Sequence, residues 1–175
     1  MAFTNAEVPP ESIPRAEEVV FQPIEQSFLK VKFIQWLIVW LIVFVIAGAL
    51  FIFVDDLQKP LVLVTVSVLL IFLAGFHIYA LKQSVSFKAY AIREHDVIYR
   101  TGWLVKSVKV VPFNRIQHCS VDEGALARRY GLSSVRLFTS GGNEADIRIP
   151  GIRAAFAADL RELIISKIRQ HGGSL

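Results

Sequence analysis

His118, Ser120 and Asp122 follow one another at intervals of two, so on a β-strand all three side chains leave from one face. A base, a hydroxyl and an acid are the residue types of nucleophilic acyl transfer. Their spacing argues against it. At roughly 3.4 Å per residue, neighbours on that face stand about 7 Å apart, too far for a hydrogen-bonded relay. Such a row is the solvated side of a half-buried sheet, and the chain is read as noncatalytic and without a cofactor. Metal chemistry has no better basis, because His77, His95, His118, His171 and Cys119 lack the close spacings of a structural zinc site. A single cysteine excludes an internal disulfide framework. Gly141-Gly142-Asn143 is too short to cradle a phosphate and reads as a hairpin turn.

The elements that carry these residues are of two kinds. The chain has 175 residues, 54% of them apolar, with mean hydropathy +0.49. Two stretches hold most of that excess, Phe33 to Val54 and Pro60 to Leu81, each 22 residues long and free of Asp, Glu, Lys and Arg. Either crosses about 30 Å of hydrocarbon at roughly 1.5 Å per residue. Asp55 to Lys59 connect them tightly, so residues 33–81 form an antiparallel transmembrane hairpin. Lys30, Lys32, Lys82, Lys88, Arg93 and Arg100 flank its open end, against Lys59 alone in the connection. The positive-inside rule then places both termini in the cytoplasm and the hairpin in the cell (inner) membrane. Trp36, Trp40 and Tyr79, with Lys82 just beyond, anchor the inner interface. Ala47-Gly48-Ala49 and Ala74-Gly75 are small patches that can receive helices of another chain, a homo-oligomer included.

Residues 1–32 are net negative and hold four prolines, so the first 16 are expected to be disordered. Phe21, Ile24, Phe28 and Val31 then recur at spacings of three and four, which suits an amphipathic turn on the inner leaflet. A short strand at residues 18–22, added to the soluble domain, is the alternative. Residues 82–175 hold fifteen Lys or Arg and eight Asp or Glu, a basic domain on the anionic side of the membrane. Val85, Phe87, Ala89 and Ala91 alternate with polar neighbours, as do Val97, Tyr99, Thr101 and Trp103 after a Glu94-His95-Asp96 turn, which predicts a hairpin. Further strands are expected at 107–113, 115–121, 133–140 and 146–149. Beyond Pro150-Gly151, the residues Phe156, Leu160, Leu163, Ile164 and Ile168 share one helical face, and Gly172-Gly173 ends that helix.

Within this domain Gly102-Trp103-Leu104, the run Val111-Pro112-Phe113-Asn114-Arg115-Ile116-Gln117, Gly124-Ala-Leu-Ala-Arg128-Arg129-Tyr130-Gly131-Leu132, Thr139-Ser-Gly-Gly142 and Ile149-Pro-Gly-Ile152 carry a resemblance. The chain resembles the bacterial pleckstrin-homology-like membrane proteins, and more closely the short YdbS-type members with two spans before one such domain. The resemblance implies an α+β membrane protein: a two-helix hairpin, then over residues 82–171 a PH-like split β-barrel of about seven strands closed by a C-terminal α-helix. It also implies no known catalysis and pairing with a longer sibling that carries repeated copies of the domain. Pro112, Arg115, Gln117, Arg128, Arg129 and Gly131 are the candidate interaction or structural residues. Arg115 and Gln117 are two apart after Pro112 and should share a face, where a buried amide or guanidinium would hold neighbouring backbone.

Lys88 and Arg93 lie where related eukaryotic domains bind phosphoinositides, but Glu94 and Asp96 in the turn repel a phosphate, leaving general attraction to anionic membrane lipid. Nucleic acid is not an expected partner, since the basic residues are spread out without interleaved exposed aromatics. The reading is a membrane-anchored noncatalytic adaptor for another membrane protein, with an anionic-lipid or envelope-stress module and an accessory transport subunit as alternatives. Only Lys82, Gln83 and Ser84 separate span two from the expected first strand, so the domain is held against the leaflet. A reporter that fluoresces only in the cytoplasm should work at both chain ends, and one active only outside should work when inserted at Gln58. External activity at the C-terminus would overturn this orientation.

Overall fold

The computed structural model describes residues 19–139 and 147–172; the expected disorder of the first 16 residues, the Gly141-Gly142-Asn143 turn and Gly173 lie outside them. A backbone in hydrocarbon must satisfy its own polar groups, which favours unbroken helix. Helices α1 (Ser27–Phe53) and α2 (Pro60–Ser86) each run for 27 residues, with a single 3₁₀ turn, Asp55–Gln58, between them. Pro60 occupies the first position of α2, where its missing N–H breaks no hydrogen bond. Each helix is longer than its uncharged stretch, and both overrun it at the open end of the hairpin. Val85, expected in a strand, is therefore on α2 and is buried. A helix already formed in the membrane gains one hydrogen bond for each added residue, and that outweighs the local alternation of Val85 and Phe87. The link to the domain is rigid: only Phe87 and Lys88 lie between α2 and the strand β2 (Ala89–Ile92).

The residues before α1 join the domain instead of lying on a leaflet. Strand β1 (Gln22–Pro23) pairs antiparallel with β2, Gln22 opposite Tyr90. The backbone N–H of Glu25 donates to Gly151 O at 2.9 Å, and the Glu25 carboxylate pairs with Arg153 at 2.7 Å. Of the expected helical turn only Phe28 and Val31 are on α1; they and Ile24, in the link before it, are buried in the domain's main core.

Strands β3 (Asp96–Thr101) and β4 (Ser107–Pro112) complete a four-stranded antiparallel sheet of order β1-β2-β3-β4. A 3₁₀ corner, Phe113–Arg115, leads to the second sheet, β5 (Ile116–Asp122), β6 (Leu132–Thr139) and β7 (Ile147–Arg153), in chain order. Among the described residues the two sheets do not join into one barrel. Trp103 falls outside β3, because the strand ends at Thr101 and Gly102 turns the chain. The five-residue helix α3 (Ala125–Arg129) links β5 to β6, and β7 continues through Pro150 and Gly151, beyond the expected end of that strand. Helix α4 (Ala154–Gly172) covers the core with Ala157, Leu160 and Ile164 fully buried and Ile168 partly so. Phe156 and Leu163, placed on that face by sequence, are exposed, since the buried line runs at i, i+3, i+7 from Ala157.

The core closes where Phe28 meets β7. Gly151 has φ +67°, and a Cβ there would lie 2.7 Å from Phe28 Cγ, so glycine is required both by the backbone and by the ring above it. Truncation of a buried Phe costs about 3 to 5 kcal/mol, and Phe28→Ala should lower the thermal stability of the full-length protein accordingly. Gly151→Ala should cost about 1 kcal/mol or more. The double variant should lose less than the sum, because the pair is in contact. Thermal unfolding in detergent, read by exposure of the buried Cys119 thiol, measures all three, and strict additivity would overturn the contact.

Candidate functional site

The row on β5 does not assemble a catalytic relay. His118 lies opposite Phe138 on β6, with ring centroids 5.5 Å apart. Asp122 pairs with Arg136 across the same strands, so its carboxylate is engaged away from His118. Cys119 points into the core between them. Burial pushes its thiol up to about 11, against the opposing pull of Arg161, which makes it a poor nucleophile. Among the described residues no three His, Cys, Asp or Glu side chains gather into a metal-binding group.

The Pro-Phe corner is built differently from the sequence expectation. Arg115 and Gln117 are both exposed, and the pairing register shifts between Ile116 and His118. An extra residue in one strand leaves the ladder locally unpaired, which turns the Gln117 amide outward instead of into the core. The structural residues of the run are the apolar ones. Phe113 and Ile116 are buried at the junction of the two sheets, and the Phe113 N–H donates to His95 O at 2.9 Å. Pro112 ends β4, and with Arg115, Lys109 and Thr139 it lines a shallow hollow beside that strand. On α3, Arg128 is within 3.6 Å of Glu123, whereas Arg129 is exposed. Gly131 N–H donates to Arg128 O at 3.0 Å and its carbonyl accepts from Ala154 N–H at 2.9 Å, tying α3 to the start of α4.

The Glu94-His95-Asp96 turn is closed by its own charges. Arg93 holds both oxygens of Asp96, through Nε at 2.7 Å and Nη2; that hydrogen bond, more than proximity to the carboxylate, raises the guanidinium's pKa further. Lys88 is half-buried near the end of α2 and donates to Ser84 Oγ at 3.2 Å. The register Ala89↔Arg100 to Ile92↔Val97 puts the Arg93–Asp96 turn at the far end of the hairpin from α2. The opposite loop, Gly102 to Lys106, therefore returns to the membrane helices.

That loop and the start of β4 carry a strip of exposed apolar residues next to the hairpin's open end. The Trp103 ring stands perpendicular to Tyr79 with centroids 6.1 Å apart, and Tyr79 belongs to the uncharged stretch of α2. Leu104 and Val105 are 77% and 81% exposed, and Val108 and Val110 on β4 about half. Val108 and Val110 share a face, opposite Arg100 and Ile98. No described strand pairs with the outer edge of β4. Beside this strip a groove of about 780 Å³ runs between α1 and α2, walled by Phe33, Ile34 and Ile78 and lined also by Lys30, Lys82 and Tyr130. The anchors of the hairpin interlock: Trp36 stacks on Phe33, and Trp40 Nε1 donates to His77 Nδ1 at 3.1 Å. A satisfied histidine of this kind is a helix-to-helix clamp. Sequence reasoning missed the Leu104 to Val110 strip, because exposed apolar residues on a strand look the same as core residues until the sheet's edge is known.

Two long apolar helices, an antiparallel two-sheet domain and a closing helix define a membrane protein with a PH-like domain. The model of the bacterial PH domain family matches residues 36–168, and the chain belongs to that family. It is similar to the UPF0699 transmembrane protein YdbS of Bacillus subtilis (strain 168), 29% identical over 75 residues, 43% of this chain and 45% of that protein. The matched part thus spans less than half the length of that relative. No solved structure matches the chain.

A raised thiol pKa makes stability depend on pH in a fixed direction. The folded chain holds the Cys119 proton longer than the unfolded chain, so the stability it contributes is complete below its ordinary pKa near 9 and is lost as pH rises towards about 11. The melting temperature should fall across that interval, and Cys119→Ala should remove that part of the fall. An unchanged slope would show that the thiol titrates alike in both states.

Proposed function

We propose that the protein is a noncatalytic adaptor, anchored with both termini in the cytoplasm, that receives another membrane protein along β4. The observation that carries this reading is the exposed strip Leu104, Val105, Val108 and Val110 on and beside a sheet edge that no described strand covers. An edge strand offers free N–H and C=O groups to an extended segment of a partner. Its two exposed valines add apolar area for the partner's side chains. The strip begins at the depth of Tyr79, inside the uncharged stretch of α2. A partner covering its whole length must reach that depth too, which favours a membrane protein, such as a longer sibling with further PH-like domains. The PH-like split barrel fits this role if a partner strand completes the open side between β4 and the second sheet.

Attraction to anionic lipid is the second reading, supported by Lys30 and Lys82 on the rim of the apolar groove. The two differ in what accompanies the protein out of the membrane. Mild detergent extraction should yield a stoichiometric membrane protein with the wild-type chain. Val108→Lys with Val110→Lys should abolish that capture. Both positions are about half exposed, so the melting temperature should barely move, surface changes being typically within about 0.5 kcal/mol. Capture that survives both substitutions would overturn the role of β4.

A further inference from the structure

Where α1 leaves the domain there is a hollow of about 530 Å³ that the adaptor reading does not use. Lys32 and Gln35 line it from α1, Lys88 from the junction after α2, and Tyr99, Ser134 and Arg148 from the two sheets. Three cations thus border one space, and none has a carboxylate partner among the described residues. The acids on that side of the domain are committed elsewhere: Glu25 to Arg153, Asp122 to Arg136 and Glu123 to Arg128. What Lys88 and Lys32 do contact is neutral. Lys88 donates to Ser84 Oγ at 3.2 Å and Lys32 to Gln35 Oε1 at 3.1 Å. Burial, and then the charge of Lys32, push the Lys88 ammonium below the usual lysine range, the direction expected of a cation that lacks a counter-charge.

Holding like charges together around a half-buried space is unfavourable unless an anion joins them. We propose that this hollow binds a phosphate-bearing anion between Lys32, Lys88 and Arg148. The guanidinium of Arg148 supplies a fork matched to two phosphate oxygens, and the two ammonium groups act as point charges that adapt to the rest. The hydroxyls of Tyr99 and Ser134 add neutral donors on the domain side. Depth favours a lipid as the source. Lys32 directly precedes the uncharged stretch that begins at Phe33, so the hollow opens where hydrocarbon gives way to headgroups. Free inorganic phosphate has the same chemistry and is the other source. This site is separate from the β4 strip, and its failure would leave the adaptor reading standing.

The full-length protein in a neutral detergent provides the test, with thermal unfolding followed by Cys119 exposure. Three additions at matched ionic strength are compared: phosphatidylglycerol, phosphatidylcholine and inorganic phosphate. A ligand that binds only the folded state raises the melting temperature as its concentration rises. Phosphatidylglycerol should raise it well beyond phosphatidylcholine, and Arg148→Gln and Lys88→Met should each remove most of that rise. Arg148 is exposed, so its variant keeps the test valid if Lys88→Met does not fold. The control Lys106→Gln, outside the hollow, should keep the full rise. An equal rise with inorganic phosphate assigns the site to the free anion, and a rise with the lipid alone assigns it to a headgroup. No rise with either, or a rise that Arg148→Gln leaves intact, overturns the site.

Discussion

Phe28 rests on Gly151, and through that contact a membrane helix becomes part of a sheet domain's core. The ring can approach because β7 has no side chain at that point and the backbone there is in the left-handed region. One turn along, Val31 is buried in the same core, and so is Ile24 in the link between β1 and α1. Two polar links fasten the approach: the Glu25 N–H to Gly151 O and the Glu25 carboxylate to Arg153. Because α1 continues without a break into the uncharged stretch, any rotation of the domain relative to the hairpin would pull Phe28 out of its seat. Helix α2 reaches the domain by an equally short route, with Val85 in the same core. Two helices that enter one core at separate points leave no hinge between membrane and domain.

The remaining architecture follows from that double attachment. Strand β2 starts at the end of α2, so the first hairpin must run away from the membrane and return, bringing the Gly102 to Lys106 loop beside Tyr79. Gly102 is the pivot of the return. Its φ is +89°, and a Cβ there would overlap the carbonyl oxygen of Val105, so the turn is too tight for any other residue. The chain then leaves along β4 as an edge strand and needs a corner to start the second sheet, which Pro112 and the buried Phe113 supply. Phe21 covers the outer face of this first sheet, its ring centroid 4.5 Å from the Arg100 guanidinium, so the segment before α1 shields as well as pairs.

Residue types alone made the two helices legible, since 22 uncharged residues in a row admit few alternatives. Their ends were not legible, because a helix propagates past the hydrocarbon as long as each added residue gains a hydrogen bond, and Val85 alternates with its neighbours as a strand residue would. The apolar character of Ile24, Phe28 and Val31 was legible but not what covers them, for a leaflet and a protein core ask for the same side chains. At the Pro-Phe corner the polar residues drew attention, yet the sheet junction rests on Phe113 and Ile116, and the irregular register that exposes Gln117 leaves no mark in composition. Helix α3, at five residues, is shorter than any period could reveal. The candidate surfaces were the least visible part. Lys32, Lys88 and Arg148 are far apart in sequence, and only the packing of α1 onto the sheets brings them around one space.

A domain attached to the hairpin at two points holds its exposed surfaces at fixed depths. At the turn far from the membrane, Arg93 and Asp96 neutralise one another. Cations without carboxylate partners among the described residues, Lys30, Lys32, Lys82 and Lys88, gather where α1 and α2 meet the domain. A folding argument alone does not explain this, since paired charges would stabilise that junction better than like charges do. The proposed phosphate would balance them, and a membrane offers phosphates at that depth. The apolar strip begins at the same level, on the edge of the first sheet. Fixed attachment is what gives both surfaces meaning, because a domain that turned freely on a flexible tether would present neither one steadily to the leaflet.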